Sequence, residues 1–203
     1  MGAILYLMRK TDRGLYMDQI QTDVSLLSFM TVISVFFNGL LLTQFDSYDI
    51  FIKIPISFLI ISTFGFLFAT LILGNTTQEI IDGKIEKAKK HMLYGYAISE
   101  YIGVYLFVLS ITLAINIITP DIYLRIITLF AALGGIALYQ FMGFSMLNNH
   151  FPKTYTAFSI LTLGFGIALF AAQIWRFHFT EASLAFLVFI LLITILAPRK
   201  DFE

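Results

Sequence analysis

The chain has 203 residues, 59% of them hydrophobic and only 13% charged, with a mean hydropathy of +0.86; a soluble domain carries about 25% charged residues. So few charges cannot solvate a water-facing surface, so lipid is the expected solvent for most of the chain. The formal net charge is zero and cysteine is absent, which excludes a basic field for nucleic acid, disulfides, thiolate metal sites and cysteine nucleophiles.

Residues 1–23 mix apolar side chains with Arg9, Lys10, Asp12 and Arg13, and read as a cytoplasmic or interfacial segment. The apolar run Ile4 to Met8 is too short for a signal-peptide core, and its charges follow it instead of preceding it. Gly2 fits a myristoylation site, but Tyr6 stands where that motif needs Ser or Thr.

Six apolar stretches follow, at 24–45, 51–73, 92–118, 122–147, 155–175 and 179–197, each near the roughly 20 residues that span about 30 Å as a helix. Asp46-Ser47-Tyr48-Asp49, Thr119-Pro120-Asp121 and residues 148–153 break them with turn chemistry. Pro120 suits the first turn of the next helix, and Pro198 ends the last. Between the second and third stretches, residues 76–91 read as a cytoplasmic helical extension of the third, with Thr77 as its N-cap and Ile81, Ile85 and Ala88 at helical spacing. Strands of a barrel would alternate apolar and polar residues, and a soluble bundle would keep polar helix faces; neither pattern is present. The expected fold is all-α, a polytopic transmembrane bundle of six helices over 24–198, with a tail at 199–203.

The basic residues orient it. With the N-terminus inside, one side carries Arg9, Lys10, Arg13, Lys84, Lys87, Lys89, Lys90, Lys153, Arg199 and Lys200, and the other Lys53, Arg125 and Arg176. Ten against three places both termini in the cytoplasm by the positive-inside rule. The expected location is the plasma membrane of a prokaryote.

Glu100 is the acid expected well inside a span, in the third stretch. An ionisable group in hydrocarbon is costly and normally faces the bundle interior, a cavity or a partner, where a carboxyl can exchange a proton or coordinate a cation. Structural hydrogen bonding between helices is the competing role. Matching depth along the other helices gives Thr31, Ser34, Thr70, Gln140 and Thr162 as neighbours, with Tyr139 beside Gln140, and Tyr96, Tyr101 and Tyr105 along the same helix. Glu100 and Gln140 are expected within one side-chain layer. Asn38, near the middle of the first helix, needs a partner on another helix or lines a pore, because an unpaired amide in lipid costs several kcal/mol.

Small residues recur every four positions at Gly95, Ser99 and Gly103, and at Gly164, Ala168 and Ala172. Such stripes let helix backbones approach, and packing is their commoner role. Lys84, Lys87, Lys89 and Lys90 are expected at anionic headgroups, while Glu79, Asp82 and Glu86 fall on one helical face that either stays solvated or holds a divalent cation. No zinc-protease, nucleophile-elbow or phosphate-loop motif is present, so neither an enzyme nor a cofactor or metal is expected. The leading functional expectation is a small channel or transporter-like protein for a proton or cation, centred on Glu100, with a homo-oligomer or a membrane-complex partner as the expected assembly. The alternatives are an accessory or scaffold subunit of a larger membrane complex and, third, a lipid-acting enzyme; membrane lipids are the expected partners, and nucleic acid is not.

Overall fold

The computed structural model describes residues 13–43, 45–141 and 152–196. They form six helices: α1 (Arg13–Leu42), α2 (Ile50–Ile81), α3 (Ile85–Ile118), α4 (Ile122–Phe141), α5 (Pro152–Trp175) and α6 (Phe179–Leu196). No strand occurs among the described residues. Five of the six are long and apolar enough to cross a membrane, and α5 carries a shorter apolar run, Ser159–Trp175. The chain is therefore an all-α transmembrane helical bundle. Residues 1–12, the Gln140 side chain and the tail at 199–203 lie outside the described residues.

Side-chain contacts fix the helix directions. Tyr139 near the end of α4 meets Glu100 in the first half of α3, and Tyr96 of α3 meets Asp23 in the first half of α1. At the opposite end, Asn116 of α3 bonds Gln173 of α5 at 2.7 Å, and the rings of Phe51 and Phe179, at the starts of α2 and α6, stack at 5.8 Å. Consecutive helices thus alternate in direction, and residues 13 and 196 come to the same end of the bundle.

Two expected boundaries move. The interfacial segment and the first span are not separate helices, because α1 runs unbroken from Arg13 and takes in Asp23. The 76–91 extension belongs to two helices, not one. Thr77 lies inside α2, which continues to Ile81, and the chain then reverses at Gly83, whose φ of +76° is open to glycine and strained for other residues. Splitting this segment scatters the expected acidic face: Glu79 ends up buried on α2, Asp82 in the turn and Glu86 exposed on α3. Among the described residues, no set of three such groups is placed to hold a metal ion.

The core gathers around α3, buried on several sides by α2, α4, α5 and α6. Its small-residue stripe lies against α2. A Cβ on Gly103 would lie 2.6 Å from the Phe66 ring, one on Gly95 2.9 Å from Leu73, and one on the facing Gly65 3.0 Å from the Gly103 backbone nitrogen. Ser99, between them, is buried and bonds the Tyr96 carbonyl. The second stripe is placed differently. Gly164 and Ala168 are exposed, nothing lies within 4 Å of a Cβ built on Gly164, and Ala172 is half-buried against the core. Asn38 reaches α2, donating to Thr63 Oγ1 at 2.8 Å, so its amide ties two helices together as the cost of burial requires.

Candidate functional site at two buried carboxylates

Between Ile98 and Tyr105 the backbone of α3 is π-helical. Such segments are rare and recur at functional sites, because the wider turn inserts a residue and re-aims the side chains around it. Widening also disturbs the carbonyl ladder. Ser62 of α2 answers this by donating its hydroxyl to the Gly103 carbonyl at 2.8 Å. The local distortion is thus held by the same α2 face that the glycines bring close.

Glu100 sits in this segment with no exposure at all. It is 15 residues from the start of α3 and 18 from its end, or about 22 Å and about 27 Å along the axis at 1.5 Å per residue. The Tyr139 hydroxyl of α4 donates to its Oε1 at 3.3 Å. One turn earlier on α3, the Tyr96 hydroxyl donates to Asp23 Oδ2 at 3.1 Å, and Asp23 is only 7% exposed. Tyr101 and Tyr105 are buried with rings stacked at 5.9 Å, and Tyr139 is within electrostatic reach of Tyr105 and Asp23 as well as Glu100. Two carboxyls and four phenols from α1, α3 and α4 therefore share one buried region.

Polar groups continue along α3 away from Asp23. Tyr105, Thr112 and Thr162 border a small cavity whose other walls, among them Leu109, Leu133, Ile136 and Phe186, are apolar. Beyond it, Asn116 and Gln173 are both buried and joined at 2.7 Å. Carboxyl and phenol O–H groups both donate and accept, so a proton can be shared within the Tyr139–Glu100 pair and within the Tyr96–Asp23 pair. The carboxyl oxygens can also take part in binding a small cation.

The depth-matched residues divide. Tyr139 and Tyr96 join the carboxylates, and Thr162 is buried beside Tyr105 along the same track. Thr31 turns back to its own helix, bonding the Leu27 carbonyl at 2.8 Å, and Thr70 does the same to Phe66. Asn38 is engaged by Thr63 of α2. Depth along a helix does not give direction around it, which explains this split.

Asp23 is the residue that sequence reasoning missed, because it closes a charged segment and looked like its edge. The signal was present: Ile20, Asp23, Leu27, Ser34 and Asn38, all buried, fall on one face of α1. The lysines also divide. Lys87 pairs with Glu79 at 2.9 Å and Lys84 with Asp82 at 3.0 Å, while His91 Nδ1 lies 2.9 Å from the other Glu79 oxygen. Together these contacts clasp the α2–α3 elbow, whereas Lys89 is half-buried and Lys90 exposed. Compared with known proteins, the chain matches no family model, no curated protein and no solved structure.

Proposed function

We propose that this membrane protein moves protons, or a small cation in their place, through the Asp23–Tyr96–Glu100–Tyr139 cluster. The observation that carries the reading is Glu100: fully buried, on a π-helical segment, and hydrogen-bonded by a tyrosine from another helix. Burying an ionisable group in a lipid-embedded bundle costs at least about 2.5 kcal/mol, and a purely structural tie is met more cheaply by an amide, as Asn38 does. Polar groups lie on both sides of Glu100, with Asp23 and Tyr96 toward one end and Tyr105, Thr112, Thr162 and Asn116 toward the other. That is the layout a conducting path needs and a single packing contact does not.

On this reading the chain has six spans, with α5 as the fifth, and both termini face the cytoplasm of a prokaryotic plasma membrane. The alternation of helix directions and the basic residues of the α2–α3 elbow support that orientation. Lys89 and Lys90 meet anionic headgroups, and the protein is not an enzyme. A scaffold reading draws on one observation, the outward-facing Gly164 and Ala168, which would accept a helix of a second copy or of a partner subunit.

The test is proton flux into proteoliposomes carrying an internal pH dye, under an imposed pH gradient. The wild-type protein should dissipate the gradient faster than protein-free vesicles. Glu100→Gln should remove the excess and Tyr139→Phe should reduce it. If Glu100→Gln assembles normally and conducts like wild type, the transport reading is wrong and the scaffold reading gains.

A further inference from the structure

Ser62 of α2 directs its hydroxyl away from its own helix. On the same helix, Ser57, Thr63, Thr70 and Thr76 each donate to the carbonyl four residues earlier, which is how a hydroxyl in a membrane helix is ordinarily satisfied. Ser62 is fully buried and donates instead to the Gly103 carbonyl of α3, at 2.8 Å. The same turn of α2 closes on Gly103 from its other sides. A Cβ on Gly103 would lie 2.6 Å from the Phe66 ring, and a Cβ on Gly65 would lie 3.0 Å from the Gly103 nitrogen. Residues 62, 65 and 66 thus hold one residue of α3.

Gly103 marks where the π-helical geometry of Ile98–Tyr105 gives way to α. Its carbonyl accepts the backbone N–H of Leu106, three residues on, which is a tighter turn than α. The second lone pair of that carbonyl takes the Ser62 hydroxyl.

The place of this junction decides where Glu100 points. α4 packs on the part of α3 that follows the junction, Leu106–Ile118, whereas Glu100 lies before it. One extra residue in the segment turns the preceding part of the helix by about 100° against the following part, at 3.6 residues per turn. A plain α-helix through this stretch would carry Glu100 about 100° away from its direction toward α4, and the contact with Tyr139 would be lost.

We propose that Ser62 is a positioning residue for the carboxylate site: by holding the Gly103 carbonyl it keeps the π-helical junction in place, and so keeps the Glu100 carboxyl aimed at the Tyr139 hydroxyl. Ser62 acts through Gly103 and carries no proton itself. The proposal rests on the transport reading for its functional meaning, but the aim of Glu100 is measured without any flux, so either can fail alone.

The full-length protein, labelled with ¹³C at glutamate Cδ and tyrosine Cζ and reconstituted in lipid, is suited to magic-angle-spinning NMR. The chain has five glutamates, so Glu100 is assigned as the resonance absent in Glu100→Gln, and Tyr139 as the one absent in Tyr139→Phe. Wild type should show a through-space Glu100–Tyr139 correlation. Ser62→Ala should weaken or abolish that correlation and shift the Glu100 resonance. Thr70→Ala removes a hydroxyl bonded within α2, and it should leave both signals as in wild type. Ser62→Cys keeps the volume and a weak donor, so it should fall between Ser62→Ala and wild type; it carries the test alone if Ser62→Ala does not fold. An unchanged Glu100 resonance and correlation in the Ser62 variant overturns the proposal. So does the absence of the correlation in wild type, and so does Thr70→Ala disturbing Glu100 as strongly as the Ser62 variant, since any lost hydroxyl of α2 would then have the same effect.

Discussion

Alanine at Gly65 and alanine at Gly164 should have opposite effects, although both replace a glycine in a membrane helix. In either helix, alanine brings a helix-propensity gain of up to about 1 kcal/mol, and this cancels when the two variants are compared. What remains is the contact made by the new methyl group. At Gly65 it would fall 2.7 Å from Ile102 Cγ2, 3.0 Å from the Gly103 nitrogen and 3.1 Å from the Ile102 carbonyl carbon. Two of those atoms are backbone, so no rotamer change relieves the clash and α2 must move off α3. Overpacking of this kind costs about 1–3 kcal/mol. At Gly164 the methyl meets nothing within 4 Å. Gly95→Ala should fall between them, because its nearest neighbours are the mobile ends of Leu73. The assay is reversible unfolding of the purified protein in mixed micelles by a denaturing detergent, followed by helical circular dichroism. Gly65→Ala should be less stable than Gly164→Ala by about 1–3 kcal/mol. Equal stability of the two would refute the close α2–α3 crossing, and with it the support for the π-helical segment.

Three further outcomes follow from named contacts. Asn38→Leu should cost about 0.6–1.7 kcal/mol, the range for hydrogen bonds between membrane helices; a double-mutant cycle with Thr63→Val should recover that energy as coupling, and zero coupling contradicts the Asn38–Thr63 bond. Gly83→Ala should destabilise the α2–α3 elbow by about 1–2 kcal/mol because of its left-handed backbone, read as faster hydrogen exchange in the turn than in wild type. Tyr96→Phe should lower stability by about 1–3 kcal/mol by stranding Asp23, and adding Asp23→Leu should restore most of the loss, since removing both partners is nearly neutral. Failure of the second substitution to rescue would mean that Asp23 is held by something else.

Much of the fold was legible because span length and apolarity are averages over about 20 residues, which single side chains do not overturn. The start of α4 was readable to within about a turn: Pro120 was expected in its first turn, whereas Asp121 caps the helix, accepting from the backbone nitrogens of Tyr123 and Leu124, and Pro120 precedes the cap. The elbow was not, although Asp82-Gly83 is a turn signal, because Ile81, Ile85 and Ala88 keep helical spacing across it. Within the site, Glu100 and Tyr139 were found from cost and depth. Asp23 was hidden by the charges before it, and the π-helical segment left no trace in the residue pattern; its contacts with Ser62 and Phe66 come from a different helix. The pairing of Asn116 with Gln173 had no sequence signal, because both lie near helix ends, where water can satisfy an amide.

The proposed transport requires Glu100 to take up and release a proton inside the bundle. Infrared difference spectroscopy of the reconstituted protein, stepped in pH, measures this directly through the carboxylic C=O stretch. A pH-dependent band that disappears in Glu100→Gln and shifts in Tyr139→Phe is the predicted result. A Glu100 band that stays constant over the whole pH range in which the protein remains folded would contradict it.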